Sequence, residues 1–207
     1  MSAATKVERT RITVASSDAE GAELAARLAL DLDGVFEEVV VAYQSRIYGF
    51  ALRLLANPAD AEEIAQDAFV RAYRALQGYP VERIATLRLR PWLYQIAVNL
   101  ARNRHRHRGR RPSELALVDE NGRERAFPAG EGDDPMAALE RAEGAAALAG
   151  TIAALPARYR AAVVLRHVEG LSYAEVAAVL DQPVGTAKAN VHRGVTLLRA
   201  ALAEPGR

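Results

Sequence analysis

From Arg88 to Arg111 the chain carries arginines at 88, 90, 102, 104, 106, 108, 110 and 111 and no acid. Guanidinium groups at this density are chemistry for holding rather than for making bonds. Each is a permanent cation with a planar fork of donors that matches phosphate oxygens. Among them stand Trp92, Gln95, Asn99 and Asn103. A second group, Thr186, Lys188, Ala189, Asn190 and Arg193, combines types that reach phosphates or base edges in duplex DNA; the alternative for that helix is packing against a protein partner. A third group is acidic. Asp60, Glu62, Glu63, Gln66 and Asp67 share one helical stretch, and taken alone they read as an exposed, solvated ridge that complements the helix dipole.

Bond-making chemistry finds little support. There is no cysteine, which excludes disulfides, thiolate catalysis and cysteine-ligated zinc. His105 and His107 stand two apart and point to different helix faces, and His167 and His192 lie in another part of the chain. Surface histidines account for them better than metal ligation does. No phosphate-binding glycine loop or nucleophile motif is present. The expectation is no enzymatic activity, no cofactor and no metal.

The formal net charge is only +1, but it conceals segregation. Directly after the arginine-rich stretch, residues 112–143 carry Glu114, Asp119, Glu120, Glu124, Glu131, Asp133, Asp134, Glu140 and Glu143. Adjacent blocks of opposite sign say more about partners than their sum does. No apolar run reaches the length of a spanning helix and the first residues lack the order of a signal peptide. A cytoplasmic protein without membrane insertion is expected.

Apart from a short TRITVAS near the start, apolar residues recur three and four apart, which predicts an all-α chain. Residues 1–30 read as a partly disordered N-terminal extension with a helix over 18–30. A second helix opens at Asp33 as N-cap and buries Phe36, Val40, Tyr43, Ile47, Phe50 and Leu54. Asn57 caps a third, with Pro58 in its first turn, Gly78 at its end, and Ile64, Ala68 and Tyr73 or Leu76 facing inward. Residues 79–88 read as a loop. In the arginine-rich helix Pro91 belongs near the start, and Leu93, Ile96, Ala97 and Leu100 form the buried stripe. The helix thus has an apolar half that docks and a basic half that faces out.

Residues 112–134 have the Pro, Gly, Glu and Asp content of a linker. Beyond it, Asp134 and Pro135 start a helix to about Leu155, and Pro156 opens another that Gly170 closes. From Leu171 to Leu202 the grammar is that of a helix-turn-helix. Ser172 and Glu175 form a potential capping box, Val176, Ala177 and Leu180 pack the first helix, and Val184, Ala187, Val191, Val195 and Leu198 pack the second. The fold class is therefore two small helical domains, 31–111 and 135–207, joined by a flexible acidic linker.

With these segments together, the chain resembles an extracytoplasmic-function sigma factor of bacterial RNA polymerase, over about Asp33 to Leu202. NPADAEEIAQDAFVRAYRAL is similar to the family's core-polymerase-binding helix, RPWLYQIAVNLARNRHRHR to its minus-10 recognition and melting helix, and GLSYAEVAAVLDQPVGTAKANVHRG to its minus-35 helix-turn-helix. The resemblance implies that Asp60, Glu62, Glu63, Gln66 and Asp67 dock on core RNA polymerase. It implies that Arg88, Arg90, Gln95, Asn99, Arg102, Asn103 and Arg106 line the path of the minus-10 strand, that residues 79–88 help trap a flipped base, and that Trp92 stacks on a base or pins the helix. Thr186, Lys188, Ala189, Asn190 and Arg193 would read the minus-35 element of promoter DNA. It further implies control by an anti-sigma factor and a linker that threads near the polymerase active centre or RNA exit path. Two departures stand out: Asp181 and Gln182 replace the usual glycine of the turn, and AKAN at 187–190 replaces the usual VKSR. The rival reading is a stand-alone helix-turn-helix regulator, although no heptad seam or dimer helix is evident.

Overall fold

The computed structural model describes residues 19–108, 144 and 147–203, with side-chain detail in the arginine-rich helix as far as Arg104. Within them the chain is helical throughout. Helix α1 covers residues 19–30, α2 Leu32–Leu55, α3 Pro58–Gln77, α4 Val81–Ala85 and α5 Leu89–Arg108. Helix α6 covers residues 147–154. Then come α7, Ala157–Val163, continued by a π-helical turn, Val164–Val168, α8, Tyr173–Leu180, and α9, Val184–Ala203. The short TRITVAS stretch, the linker at 112–134 and the expected start of a helix at Asp134 and Pro135 lie outside the described residues.

Local chemistry sets most of the boundaries. Asp31, not Asp33, caps α2: its carboxylate accepts the Gly34 N–H at 2.9 Å. Asp33 instead accepts the Tyr73 hydroxyl proton at 2.6 Å, tying α2 to α3 beside the edge-on contact of Phe36 with Tyr73. Asn57 caps α3 by accepting the Asp60 N–H at 2.9 Å, and Pro58 occupies a first-turn position where no N–H is needed. The expected loop at 79–88 contains α4. Its Thr86 closes the turn by donating to the Glu82 carbonyl at 2.9 Å.

The N-terminal half is a bundle of α2, α3 and α5, with α1 as part of it. Residues 19–30 are not an appendage: Ala25 and Leu28 are fully buried, and Arg27 reaches Glu38 on α2 at 2.8 Å. The inward face of α2 is Val35, Val39, Tyr43, Ile47, Phe50 and Ala51; Phe36, Val40 and Leu54 of the expected stripe sit only partly buried at its margin. The first two positions of the stripe are thus shifted by one, from Phe36 and Val40 to Val35 and Val39, while Tyr43, Ile47 and Phe50 are as expected.

In the C-terminal half α9 packs on α7 and α8. Its buried face is Ala187, Val191, Gly194 and Leu198. Val184, expected inside, is 43% exposed at the first position of the helix, and Val195 is half-buried; Gly194 is the position of closest approach to α7. A Cβ there would lie 2.4 Å from Val163 Cγ2 and 3.3 Å from Tyr159 Cβ. Gly194→Ala gains about 1 kcal/mol of helix propensity but overpacks this contact, and a net loss of about 1–3 kcal/mol is expected in urea denaturation. Adding Val163→Ala makes room for the methyl, so the double variant should lose less than the sum of the two single changes.

Candidate nucleic-acid interface

Helix α5 is held from two sides. Leu89, Leu93, Tyr94, Ala97, Val98, Leu100 and Ala101 are buried, while Ile96, expected in the stripe, is half-buried. Tyr94 meets Phe50 of α2 edge-on with ring centres 5.0 Å apart. Its hydroxyl donates to the carboxylate of Glu169, itself only 8% exposed. Burial first, then the negative charge and hydrogen bond of Glu169, push the Tyr94 phenol far above its ordinary pKa. The π-helical turn supports this contact. The Glu169 N–H reaches back to the Val164 carbonyl at 2.9 Å, and Gly170 leaves the helix at φ 71°, a conformation that suits glycine.

The other side of α5 meets α8. Arg88 pairs with Glu175 at 2.7 Å, the Gln95 amide donates to the Ala178 carbonyl at 3.4 Å, and Arg102 donates to the Leu180 carbonyl at 3.0 Å. Asn99 and Asn103 are exposed on the same helix. Arg90, also expected to line the strand, is 9% exposed here. Trp92 is half-buried, 6.1 Å from the Tyr79 ring, and the Arg83 guanidinium covers Tyr79 at 3.7 Å. That stack pins the start of α5 to α4. The side chain of Arg106 lies outside the described residues.

The acidic ridge of α3 is narrower than its sequence suggested. Glu62, Glu63, Gln66 and Asp67 are exposed, but Asp60 is 2% exposed. It accepts hydrogen bonds from Arg104 Nη2 at 3.0 Å and Nε at 3.2 Å, and the same guanidinium grips Glu63 in bidentate fashion. Hydrogen bonding to Glu63 and to Asp60 outweighs partial burial and raises the Arg104 pKa further above its ordinary value. Asp60 is therefore a structural partner of α5. One arginine of the basic helix is spent inside the protein.

The helix-turn-helix forms as expected. Ser172 Oγ accepts the Glu175 N–H at 3.3 Å and Glu175 accepts the Ser172 N–H at 2.8 Å, so both halves of the capping box are made. Asp181 takes the left-handed turn position at φ 52°. Thr186, Lys188, Ala189 and Arg193 are exposed on α9. Asn190 is half-buried and its amide donates to Gln182 at 3.2 Å, and Lys188 Nζ lies 5.8 Å from the centre of the Tyr173 ring. Burial alone would raise the Tyr159 phenol, but hydrogen bonds from Arg158 and Arg193 lower its pKa, so Arg193 also has an internal partner.

Four residues outside the expected set shape the interface: Tyr94, Arg104, Glu169 and Arg160, whose Nη1 donates to the Leu54 carbonyl at 2.6 Å. Only the two long-side-chain cations gave a sequence signal, and it was indistinguishable from that of surface arginines. Among the described residues no helix is long and apolar enough to cross a membrane, and no cluster of three His, Asp or Glu suits a metal. Arg104→Met should cost about 1.5–3 kcal/mol in urea denaturation, the worth of hydrogen bonds to charged groups. Combining it with Asp60→Asn should restore part of the loss, because the buried charge goes with its partner; a docking residue would show no such coupling.

Residues 39–111 match the Sigma-70 region 2 family and residues 145–198 match Sigma-70, region 4. The chain is 36% identical over 169 residues to the RNA polymerase sigma-H factor of Pseudomonas aeruginosa, covering 81% of this chain and 86% of that one. It is 33% identical to the ECF RNA polymerase sigma factor SigW of Bacillus subtilis, over 81% of this chain and 88% of that one. In fold it is similar to the sigma factor RpoE of Bartonella quintana, solved with the anti-sigma factor NepR, at a TM-score of 0.63, 22% identity and coverage of 83% and 98%. It is also similar to CnrH, solved with the cytosolic domain of CnrY, at a TM-score of 0.61, 24% identity and coverage of 88% and 97%. Two family regions in this order, a packed basic helix followed by a helix-turn-helix, and relatives that align along most of their length leave one assignment: the chain belongs to the extracytoplasmic-function sigma factors, the initiation subunits that direct RNA polymerase to promoters.

Proposed function

We propose that α5 holds the unpaired minus-10 strand on the face carrying Arg88, Gln95, Asn99, Arg102 and Asn103, with Arg106 one turn further, and that α9 reads the minus-35 duplex with Thr186, Lys188, Ala189, Asn190 and Arg193. The two-sided build of α5 carries this reading. Its apolar stripe fixes the helix against α2 and α3, which leaves a rigid row of cationic and amide groups of the kind that tracks a single strand. Arg90 and Trp92 act by positioning that helix rather than by touching DNA.

Glu62, Gln66 and Asp67, with the outer edge of Glu63, form the docking ridge for core polymerase, where an exposed acidic face complements basic partner helices. The assigned regions are 19–111 for region 2, with α1 included, 112–134 for the linker and 135–207 for region 4. The acidic linker threads a channel of the polymerase built for nucleic acid. The chain is cytoplasmic, has no catalytic activity of its own, and is held in check by an anti-sigma partner.

The decisive experiment is run-off transcription with purified core polymerase on fragmented genomic DNA of the source organism. New start sites sharing two spaced upstream elements are expected with the chain and not without it; no starts and no co-elution with core would overturn the reading. In the same assay Arg102→Ala with Arg106→Ala should reduce promoter opening at least tenfold and flatten its salt dependence while leaving co-elution intact. Glu62→Lys with Asp67→Lys should abolish co-elution and leave the fold unchanged. These two positions test docking without disturbing the Arg104 cluster that holds Glu63.

A further inference from the structure

Tyr159 sits where α7 crosses α9. It is 8% exposed, and its Cβ and carbonyl oxygen lie 3.3 and 3.4 Å from the point where a Cβ on Gly194 would stand. The phenol hydroxyl accepts a hydrogen bond from Arg158 Nη2 at 2.8 Å, with the guanidinium carbon 4.6 Å from the ring centre. Arg193 of α9 bonds to the same hydroxyl. Two guanidinium groups from different helices thus share one acceptor, and the hydroxyl still has its own proton to give. A phenol is neutral, so neither charge is cancelled, and among the described residues no carboxylate pairs with either arginine. Their joint pull lowers the Tyr159 phenol against the effect of its burial. Like charges held this close repel, and an anion placed between them relieves the repulsion. Both arginines are exposed, so an anion can reach them.

We propose that Arg158, Tyr159 and Arg193 form a clamp for one backbone phosphate of the minus-35 duplex. This deepens the assignment of α9 to that duplex and rests on it. Arg193 lies one turn beyond Ala189 on the exposed face of α9, so a duplex seated there brings its sugar-phosphate edge to Arg193 and, across the shared hydroxyl, to Arg158. Guanidinium forks match phosphate oxygens, and the phosphate supplies the negative charge that the pair lacks. Tyr159 is the positioning residue: its ring and backbone are fixed against α9, and its hydroxyl sets the separation of the two cations. A clamp of this kind fixes the register of the protein on the duplex and carries no sequence information. It also offsets a departure in the recognition helix. AKAN carries one cation where VKSR carries two, and Arg158 supplies a second from α7.

The test uses the full chain and fluorescein-labelled duplex DNA of two unrelated sequences, because a phosphate contact is read by salt dependence rather than by sequence. Anisotropy titrations over a range of salt concentrations give the slope of log affinity against log salt. Arg158→Met is expected to weaken binding to both duplexes equally and to reduce the magnitude of the slope by about 1. Arg71→Met, which removes the same charge from the exposed face of α3, is the control and should leave the slope unchanged. Tyr159→Phe keeps the ring and removes the hydroxyl. It is expected to weaken binding, and Arg158→Met added to it should cost less than in the parent. Urea denaturation of Tyr159→Phe separates a loss of fold from a loss of contact; if that variant unfolds, the Arg158→Met slope decides alone, since Arg158 is exposed. A slope for Arg158→Met equal to that for Arg71→Met overturns the clamp, and so does simple additivity of the Tyr159 and Arg158 changes. Lys188→Ala checks the underlying assignment. If it leaves binding unchanged, α9 does not face the duplex and both readings fail, whereas a loss at Lys188 without one at Arg158 removes the clamp alone.

Discussion

A buried carboxylate constrains this fold more than any other single group. Burying a polar side chain such as that of Glu169 is costly unless hydrogen bonds replace the lost hydration. The donor is Tyr94, which lies 75 residues earlier and is itself fully buried. Helix α5 must therefore present Tyr94 at one angle, and the end of α7 must deliver Glu169 to the same point. The π-helical turn at Val164–Val168 and the left-handed Gly170 are the backbone adjustments that accomplish the second requirement. With that bond made, α8 lies along the outer face of α5.

The same geometry decides how the positive charge of α5 is used. Its arginines divide by direction. Arg104 points toward α3 and neutralises the Asp60–Glu63 pair, Arg88 and Arg102 point toward α8, and Arg90 is packed away. A block of cations that looks uniform in the sequence is thus a set of separate attachments. Those that meet carbonyl oxygens or a partly exposed carboxylate can be exchanged for phosphates at little cost. The one that meets a buried carboxylate cannot, because its loss would strand the charge of Asp60. Exchangeability, rather than charge alone, separates the binding residues from the structural ones.

Much of this architecture was legible from local pattern. The Asn57 cap, the Ser172–Glu175 capping box and the apolar spacing of α3 and α8 are all set within four residues, and the structure reproduces them. Long-range partners were not legible. Asp60 looked like the rest of the acidic ridge because its distinguishing feature is Arg104, 44 residues away, and a helical wheel of α3 cannot show which neighbour covers that edge. Phe36 fitted an apolar period yet lies at the margin of the core, and Val184 fitted one yet is exposed because it opens α9, where no helix packs over it. The helix at residues 19–30 was seen, but its role was missed: Ala25 and Leu28 are small signals in an alanine-rich stretch, and only packing reveals them as core.

The departures in the helix-turn-helix acquire a physical meaning at the same level. Asp181 occupies the left-handed position where glycine is usual, and aspartate tolerates that region better than most side chains. The turn therefore survives the replacement with its geometry intact. The change from VKSR to AKAN has a different consequence. Ala189 exposes only a methyl, Asn190 is engaged by Gln182, and Arg193 shares its guanidinium with Tyr159. On the proposed assignment, Lys188 and Thr186 are left as the side chains of α9 with the fewest internal commitments, and two such groups give a modest phosphate-dominated contact. Promoter selection by this chain then depends on joint engagement of both elements, where spacing supplied by the polymerase turns two weak contacts into one strong one.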